Sequence, residues 1–120
     1  MSTNANIGAL ALNRQNLISP QINGGTLGFS LGTGSTQILA ANPQVAKVTF
    51  HNPGASITIY VCQANDANGN ALTPGPNPGN WAILPGATWE FTGNGVGGPW
   101  LAAAASSSGN PFTVATSQTI

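Results

Sequence analysis

The sequence predicts an all-β protein: a single-domain, jelly-roll-like β-sandwich of seven to eight short antiparallel strands behind an extended N-terminal arm. The first observation is that apolar and polar residues alternate in short runs from about residue 25 onward, which indicates strands with one buried face. The second is that Gly, Pro and Asn turn signals recur at intervals of about 8–12 residues, as in sandwiches and barrels. The third is that no segment shows a convincing helical pattern.

Residues 1–24 form the predicted arm, and residues 25–120 form the predicted sandwich domain. A helix over residues 8–17 is marginal, because Gly8 and several asparagines have low helix propensity. An extended arm of this composition needs a partner surface to bury its apolar side chains. The candidate interface residues in the arm are Ile7, Leu10, Leu12, Leu17 and Ile18.

The first half of the sandwich contains four predicted strands. In chain order, these apolar or alternating runs are 27–31, 38–40, 45–51 and 56–62. The last run is the clearest strand, because Ile57, Ile59 and Val61 share one face and β-branched residues dominate it. Turn signals at Asn42-Pro43 and at residues 52–54 separate the runs.

The second half begins with a long loop at residues 64–80, in which three prolines within five positions prevent regular strand pairing. Short strands then resume, with a glycine loop at residues 93–98 between the second and third of them. These predicted strands are 81–84, 88–91, 100–105 and 112–116.

The chain carries only four charged side chains, which are Arg14, Lys47, Asp66 and Glu90. Charged residues make up 3% of the sequence, against about 25% in ordinary domains. Two basic residues cannot build a phosphate-binding patch, so nucleic acid and anionic membranes are not expected partners. A surface with almost no charge favours association, so we expect a building block of a larger assembly.

Two motifs suggest chemistry, but their contexts argue against it. Gly28-Phe29-Ser30-Leu31-Gly32 has the spacing of a nucleophile elbow, yet no helix pattern follows it and the only histidine, His51, precedes both acidic residues. The glycine loop contains a G-x-G-x-x-G spacing but leads into a strand instead of a helix. The few His, Cys and carboxylate side chains do not supply a zinc site. We therefore expect no enzyme, metal or cofactor.

Trp81, Trp89 and Trp100 each have an apolar neighbour two positions further along the chain. This pattern favours burial in the core or at a subunit interface, and we treat all three as candidate interface residues. The alternative is an exposed aromatic platform that stacks on sugar rings, with asparagine side chains nearby to bind hydroxyl groups.

A series of strand and turn motifs occupies residues 45–116. In chain order these are HNPG at 51–54, ITIYV at 57–61, ILPGATWEF at 83–91, WLAAA at 100–104 and FTV at 112–114. This order resembles the small all-β virion proteins of tailed bacteriophages. Residues 1–44 and the proline-rich loop at 72–80 depart from that pattern.

The resemblance implies a structural role, and among the virion roles we expect a head decoration (cement) protein. The chain is short, lacks repeats and has an apolar arm that would lie across neighbouring capsid subunits. The implied partners are further copies of the chain, as a homotrimer, and the major capsid protein. The implied location is the capsid exterior, after assembly in the host cytoplasm without a Sec-type signal or a membrane-spanning segment.

Two other roles stay open at this point. A fibre, spike or tail component would bind host glycan through the tryptophan- and asparagine-rich surface. A non-viral assembly protein, such as a spore or surface-layer subunit, would share the low charge and need no capsid.

Overall fold

The computed structural model describes residues 25–93 and 95–118, so the predicted arm and Asn94 lie outside the described residues. The described chain is all-β, with eight strands and no helix. The strands are β1 Thr26–Leu31, β2 Thr36–Leu39, β3 Val45–His51, β4 Ile59–Gln63, β5 Trp81–Ile83, β6 Thr88–Thr92, β7 Trp100–Ala104 and β8 Asn110–Gln118. None of the described residues belongs to a helix long and apolar enough to cross a bilayer.

The strands form two four-stranded antiparallel sheets. The first sheet has the order β1-β8-β3-β6, and the second has the order β2-β7-β4-β5. Strand β1 pairs with β8, β2 with β7, β3 with β6 and β4 with β5, as in one long hairpin that has been rolled up. This is jelly-roll connectivity, and it confirms the predicted fold class.

Strand β3 follows the predicted alternation of buried and more exposed residues over most of its length, with an exception at its first residue. Val48 and Phe50 are fully buried and point between the sheets, as their alternation predicts. Val45 is out of phase with them, yet it is only 5% exposed. A register shift between Val45 and Lys47 in the pairing of β3 with β8 accounts for this, because a bulge reverses the facing of the residues before it.

Strand β4 begins at Ile59, three residues later than the sequence predicts. The side chain of Asn52 explains the late start, because its Nδ2 donates to the carbonyl of Ile57 at 2.8 Å. That carbonyl is therefore bound by a side chain where a strand neighbour would otherwise bind it. Ile57 is still partly buried and packs against the core.

The core lies between the two sheets and is dominated by aromatic contacts around Phe50. The ring of Phe50 lies 4.9 Å from that of Trp100, 5.8 Å from that of Phe91 and 5.9 Å from that of Phe112, measured between centroids. Aromatic pairs at such separations contribute about 0.5–1.5 kcal/mol beyond the area that they bury. These contacts join both sheets, since Trp100 belongs to the second sheet and the other rings to the first.

Two buried asparagine side chains hydrogen-bond to backbone carbonyls at the end of the sandwich where β3 ends. Asn52 is 1% exposed, and its Nδ2 also donates to the Ile83 carbonyl at 2.9 Å. Asn110 is 8% exposed, and its Nδ2 donates to the carbonyls of Leu31 and Ser106. Within the described residues no buried side-chain polar atom lacks a partner, so these amides stabilise the loops without an unpaired group.

We expect Asn52→Ala to destabilise the protein by about 2–4 kcal/mol, because two carbonyls lose their donor in a buried site. Asn77→Ala is the matched control, since this exposed amide makes a single bond of 3.3 Å to the Thr73 carbonyl. Urea unfolding followed by tryptophan fluorescence measures both. Equal losses in the two variants would contradict the role given to Asn52.

Candidate functional site

The two edge strands β5 and β6 lie opposite each other at one side of the sandwich. Each is the last strand of its sheet. The rings of Trp81 in β5 and Phe91 in β6 meet edge-on with centroids 4.8 Å apart. Trp81 also lies 5.9 Å from the buried ring of Trp100, so this side of the sandwich is closed by aromatic side chains.

Trp89 is the exposed member of this aromatic group. It pairs in register with Phe50, which places it in the inward-facing phase of β6. Because β6 is an edge strand, the indole is nevertheless 41% exposed. It stacks on Phe91 with an interplanar angle of 17° and a centroid separation of 6.2 Å, which fixes the plane that it presents to solvent.

The three predicted tryptophans therefore have different environments. Trp100 is 2% exposed, and its Nε1 donates to the Val96 carbonyl at 2.8 Å. Of the predicted alternatives, core burial describes Trp100, and it is corrected from an interface candidate to a core residue. Trp81 is half-buried at the edge and Trp89 is exposed there, so these two stay interface candidates. The arm candidates Ile7, Leu10, Leu12, Leu17 and Ile18 lie outside the described residues.

The outer face of the second sheet is apolar, which is unusual for a sandwich, because outward-facing residues are normally polar. The pairing of β4 with β5 and β7 places alternate residues of these strands on that face. They carry no charge: Tyr60, Cys62, Ala82, Leu101 and Ala103. Cys62 is fully buried, and this burial raises the pKa of its thiol.

The outer face of the first sheet has the opposite character. By register it presents threonines at positions 26, 49, 88, 92 and 113. It also carries the ion pair between Lys47 Nζ and Glu90 Oε2 at 3.9 Å. Both side chains are well exposed, so the pair contributes at most about 1 kcal/mol. One outer face of the sandwich thus carries hydroxyl and charged groups, whereas the other carries no charge and has Cys62 and Ala103 already buried within the described chain.

Leu84 extends the apolar surface to the end of β5. It follows the last residue of that strand and is 57% exposed. We use the name apolar edge for Leu84 together with the half-buried and exposed apolar residues on and beside β5. The apolar edge consists of Tyr60, Trp81, Ala82, Leu84, Trp89 and Leu101.

Only two residues of the apolar edge, Trp81 and Trp89, are among the candidates that the sequence predicts. The signal for the others is the composition of β4 and β7. Both strands read as nearly continuous apolar runs, and such runs indicate strands that are covered on both faces. The alternation in β3 and β6, with charged or hydroxyl residues at every second position, contrasts with them.

The residues considered for catalysis are not brought together. Nδ1 of His51 lies 2.8 Å from Thr88 Oγ1 and 3.2 Å from the Ala87 carbonyl oxygen, on the β6 side of β3. Ser30 lies in β1, on the other side of β8. Within the described residues no group of three or more His, Cys, Asp or Glu side chains is placed to hold a metal ion.

The long loop between β4 and β5 is organised by Asp66. Its Oδ1 accepts the N–H groups of Asn68 at 2.8 Å and Asn70 at 2.9 Å. The backbone of Asp66 also exchanges bonds with Asn70 and Gly69, and Asn65 bridges to Ala71. The backbone hydrogen bond from Asn70 is the main cause that lowers the pKa of Asp66 from its ordinary value of 3.8.

Because the pKa of Asp66 is lower in the folded state, its carboxylate stabilises the loop above the ordinary value of 3.8 and ceases to do so as the pH falls through the folded-state pKa. We expect the amide NMR shifts of Asn68 and Asn70 to stay constant above about pH 5 and to move together at lower pH. Asp66→Asn keeps an acceptor oxygen that does not titrate, so its shifts should stay flat. An acid-dependent shift of equal size in this variant would contradict the assignment.

Searches against protein-family models, curated proteins and solved structures find no match to this chain. The apolar edge is therefore interpreted from its own chemistry.

Proposed function

We propose that this protein is a structural subunit of a phage-type particle: a head decoration protein that associates with itself, as a homotrimer, and with the major capsid protein. The observation that carries the proposal is the apolar edge, an uncharged surface on one side of a fold whose other outer face is polar. The resemblance of residues 45–116 to small virion proteins supports the same role.

The chemistry of the apolar edge suits permanent contact with another protein. Burial of a charged group costs several kcal/mol unless it is paired, and this surface has none to bury. Each square ångström of apolar surface removed from water contributes about 25 cal/mol. Exposed Trp89 and Leu84 supply large side chains of the kind that anchor interfaces, with smaller neighbours around them.

The proposed mechanism is stabilisation of the assembled shell. A protein that binds the assembled state, and not its separated subunits, shifts the equilibrium toward that state by mass action. Each copy adds a set of weak contacts between neighbouring shell subunits. Rupture of the shell must then break many such contacts at once.

We expect Leu84→Asp and Trp89→Asp each to weaken self-association and particle binding at least tenfold, because an unpaired carboxylate would have to be buried. Thr92→Asp places the same charge on the outer face of the first sheet, opposite Lys47 and in the same strand as Trp89, and is the matched control. Analytical ultracentrifugation gives the native mass, and co-sedimentation with intact particles measures attachment. Association that is unchanged in both edge variants would overturn the proposal.

The exposed indole of Trp89 favours a second candidate, a fibre or tail component that binds host glycan. Its plane is fixed by the stack on Phe91, and a rigid exposed ring is what a sugar ring packs against. In this case, host polysaccharide should quench tryptophan fluorescence in the wild type and not in Trp89→Ala. A glycan response that is the same in both proteins would exclude this site.

A further inference from the structure

A groove lies at the end of the sandwich where the loop between β2 and β3 meets the loop between β6 and β7. Its volume is about 590 Å³. Ala41, Asn42, Pro43, Val45 and Ala46 form one wall, and four glycines of the β6–β7 loop form the other. Among the described residues, the lining thus consists of small side chains and peptide groups, and none of these residues is charged.

Hydrogen bonds hold the two walls together. The N–H of Asn42 donates to the Gly97 carbonyl at 2.9 Å, and the N–H of Gly93 donates to the Ala46 carbonyl at 3.1 Å. A Cβ atom at Gly97 would overlap the carbonyl oxygen of Asn42. The close approach of the loops therefore requires glycine at this position, and the groove is preformed.

A preformed groove with this lining fits an extended, uncharged peptide. Several peptide groups of the lining are already bonded to each other, so a bound chain is held mainly through its side chains, for which the small apolar side chains of the groove leave space. Anionic ligands such as nucleotides are disfavoured, because the lining offers them no lysine or arginine.

The chain itself contains a peptide of this kind. Residues 2–13 include none of the four charged side chains, and Ile7, Leu10 and Leu12 lie within this range. In an extended segment Leu10 and Leu12 project to the same side, because side chains alternate with a period of two. Both leucines would then enter the groove together.

The arrangement of the first sheet favours contact between copies. The chain enters this sheet at β1, the strand at one edge, whereas the groove borders β3 and β6 at the opposite edge. Complementary parts at opposite edges produce head-to-tail contacts, which close into rings such as trimers. The 12 residues from 13 to 24 span up to about 40 Å when extended, enough to reach a neighbour.

We propose that the groove of each subunit receives residues 7–12 of a neighbouring copy, with Leu10 and Leu12 as the anchoring side chains. This inference rests on the proposed function in one respect, since it requires the protein to be an oligomer. It gives the arm a binding surface on another copy of the same protein, in addition to the capsid contacts.

The test is a disulfide cross-link in the full-length chain that carries both Gly8→Cys and Ala41→Cys, because position 8 shares the side of Leu10 and Leu12 in an extended segment and leaves both anchors in place. Mild oxidation should convert most of the protein into covalent oligomers on non-reducing gels. Cys62 is fully buried, so the wild type provides the unreactive background. The matched control combines Gly8→Cys with Ser56→Cys, because Ser56 is exposed and lies beyond the far end of β3.

Native mass measured in parallel separates this inference from the proposed function. Covalent oligomers in the Ala41 variant, at least tenfold more abundant than in the Ser56 control, support arm exchange. An oligomer without cross-links, cross-links within one chain, or equal yields in both variants would overturn the exchange and leave the proposed function standing. A monomeric native mass without particle binding would overturn both.

Discussion

The packing of aromatic rings around Phe50 is the interaction on which the rest of this structure depends. Phe50 touches rings from both sheets, and Phe91 carries the contacts onward to Trp81 and Trp89. The exposed indole at the sheet edge is thus held by a continuous series of rings that begins in the core. Because protein interiors are close-packed, the orientation of the surface tryptophan is set by the same contacts that hold the sheets together.

The distribution of the few charged residues gives the fold two unlike sides. Lys47 and Glu90 lie together on the outer face of the first sheet, and Asp66 is used within a loop. The second sheet has no charge on its outer face. Among the described residues, the exposed charged pair keeps one face in water, and the other face contributes no charge that would have to be removed from water.

Local patterns in the sequence predict most of the strands, because alternation and turn residues act over a few positions. They do not predict that Val45 is buried, because this depends on a bulge in the pairing of β3 with β8. They also do not predict that β4 starts late, because this depends on the hydrogen bond from the side chain of Asn52. At the candidate site, Trp81 and Trp89 are predictable as aromatic positions. The sequence does not predict that Trp81 and Trp89 are more exposed than Trp100, because this difference depends on which strands become sheet edges.

The edges of the two sheets carry features that limit pairing with strands of other chains. Exposed edge strands invite pairing with further chains, and natural proteins limit this by short strands, bulges and charges. Strand β5 has three residues, β2 has four and a register shift, and β6 carries Glu90 at its centre. Strand addition is therefore disfavoured at all three edges. The fourth edge, β1, is the one that continues into the N-terminal segment, so the arm of the proposed exchange begins at this edge and ends at the groove on the opposite side of a neighbour's sheet.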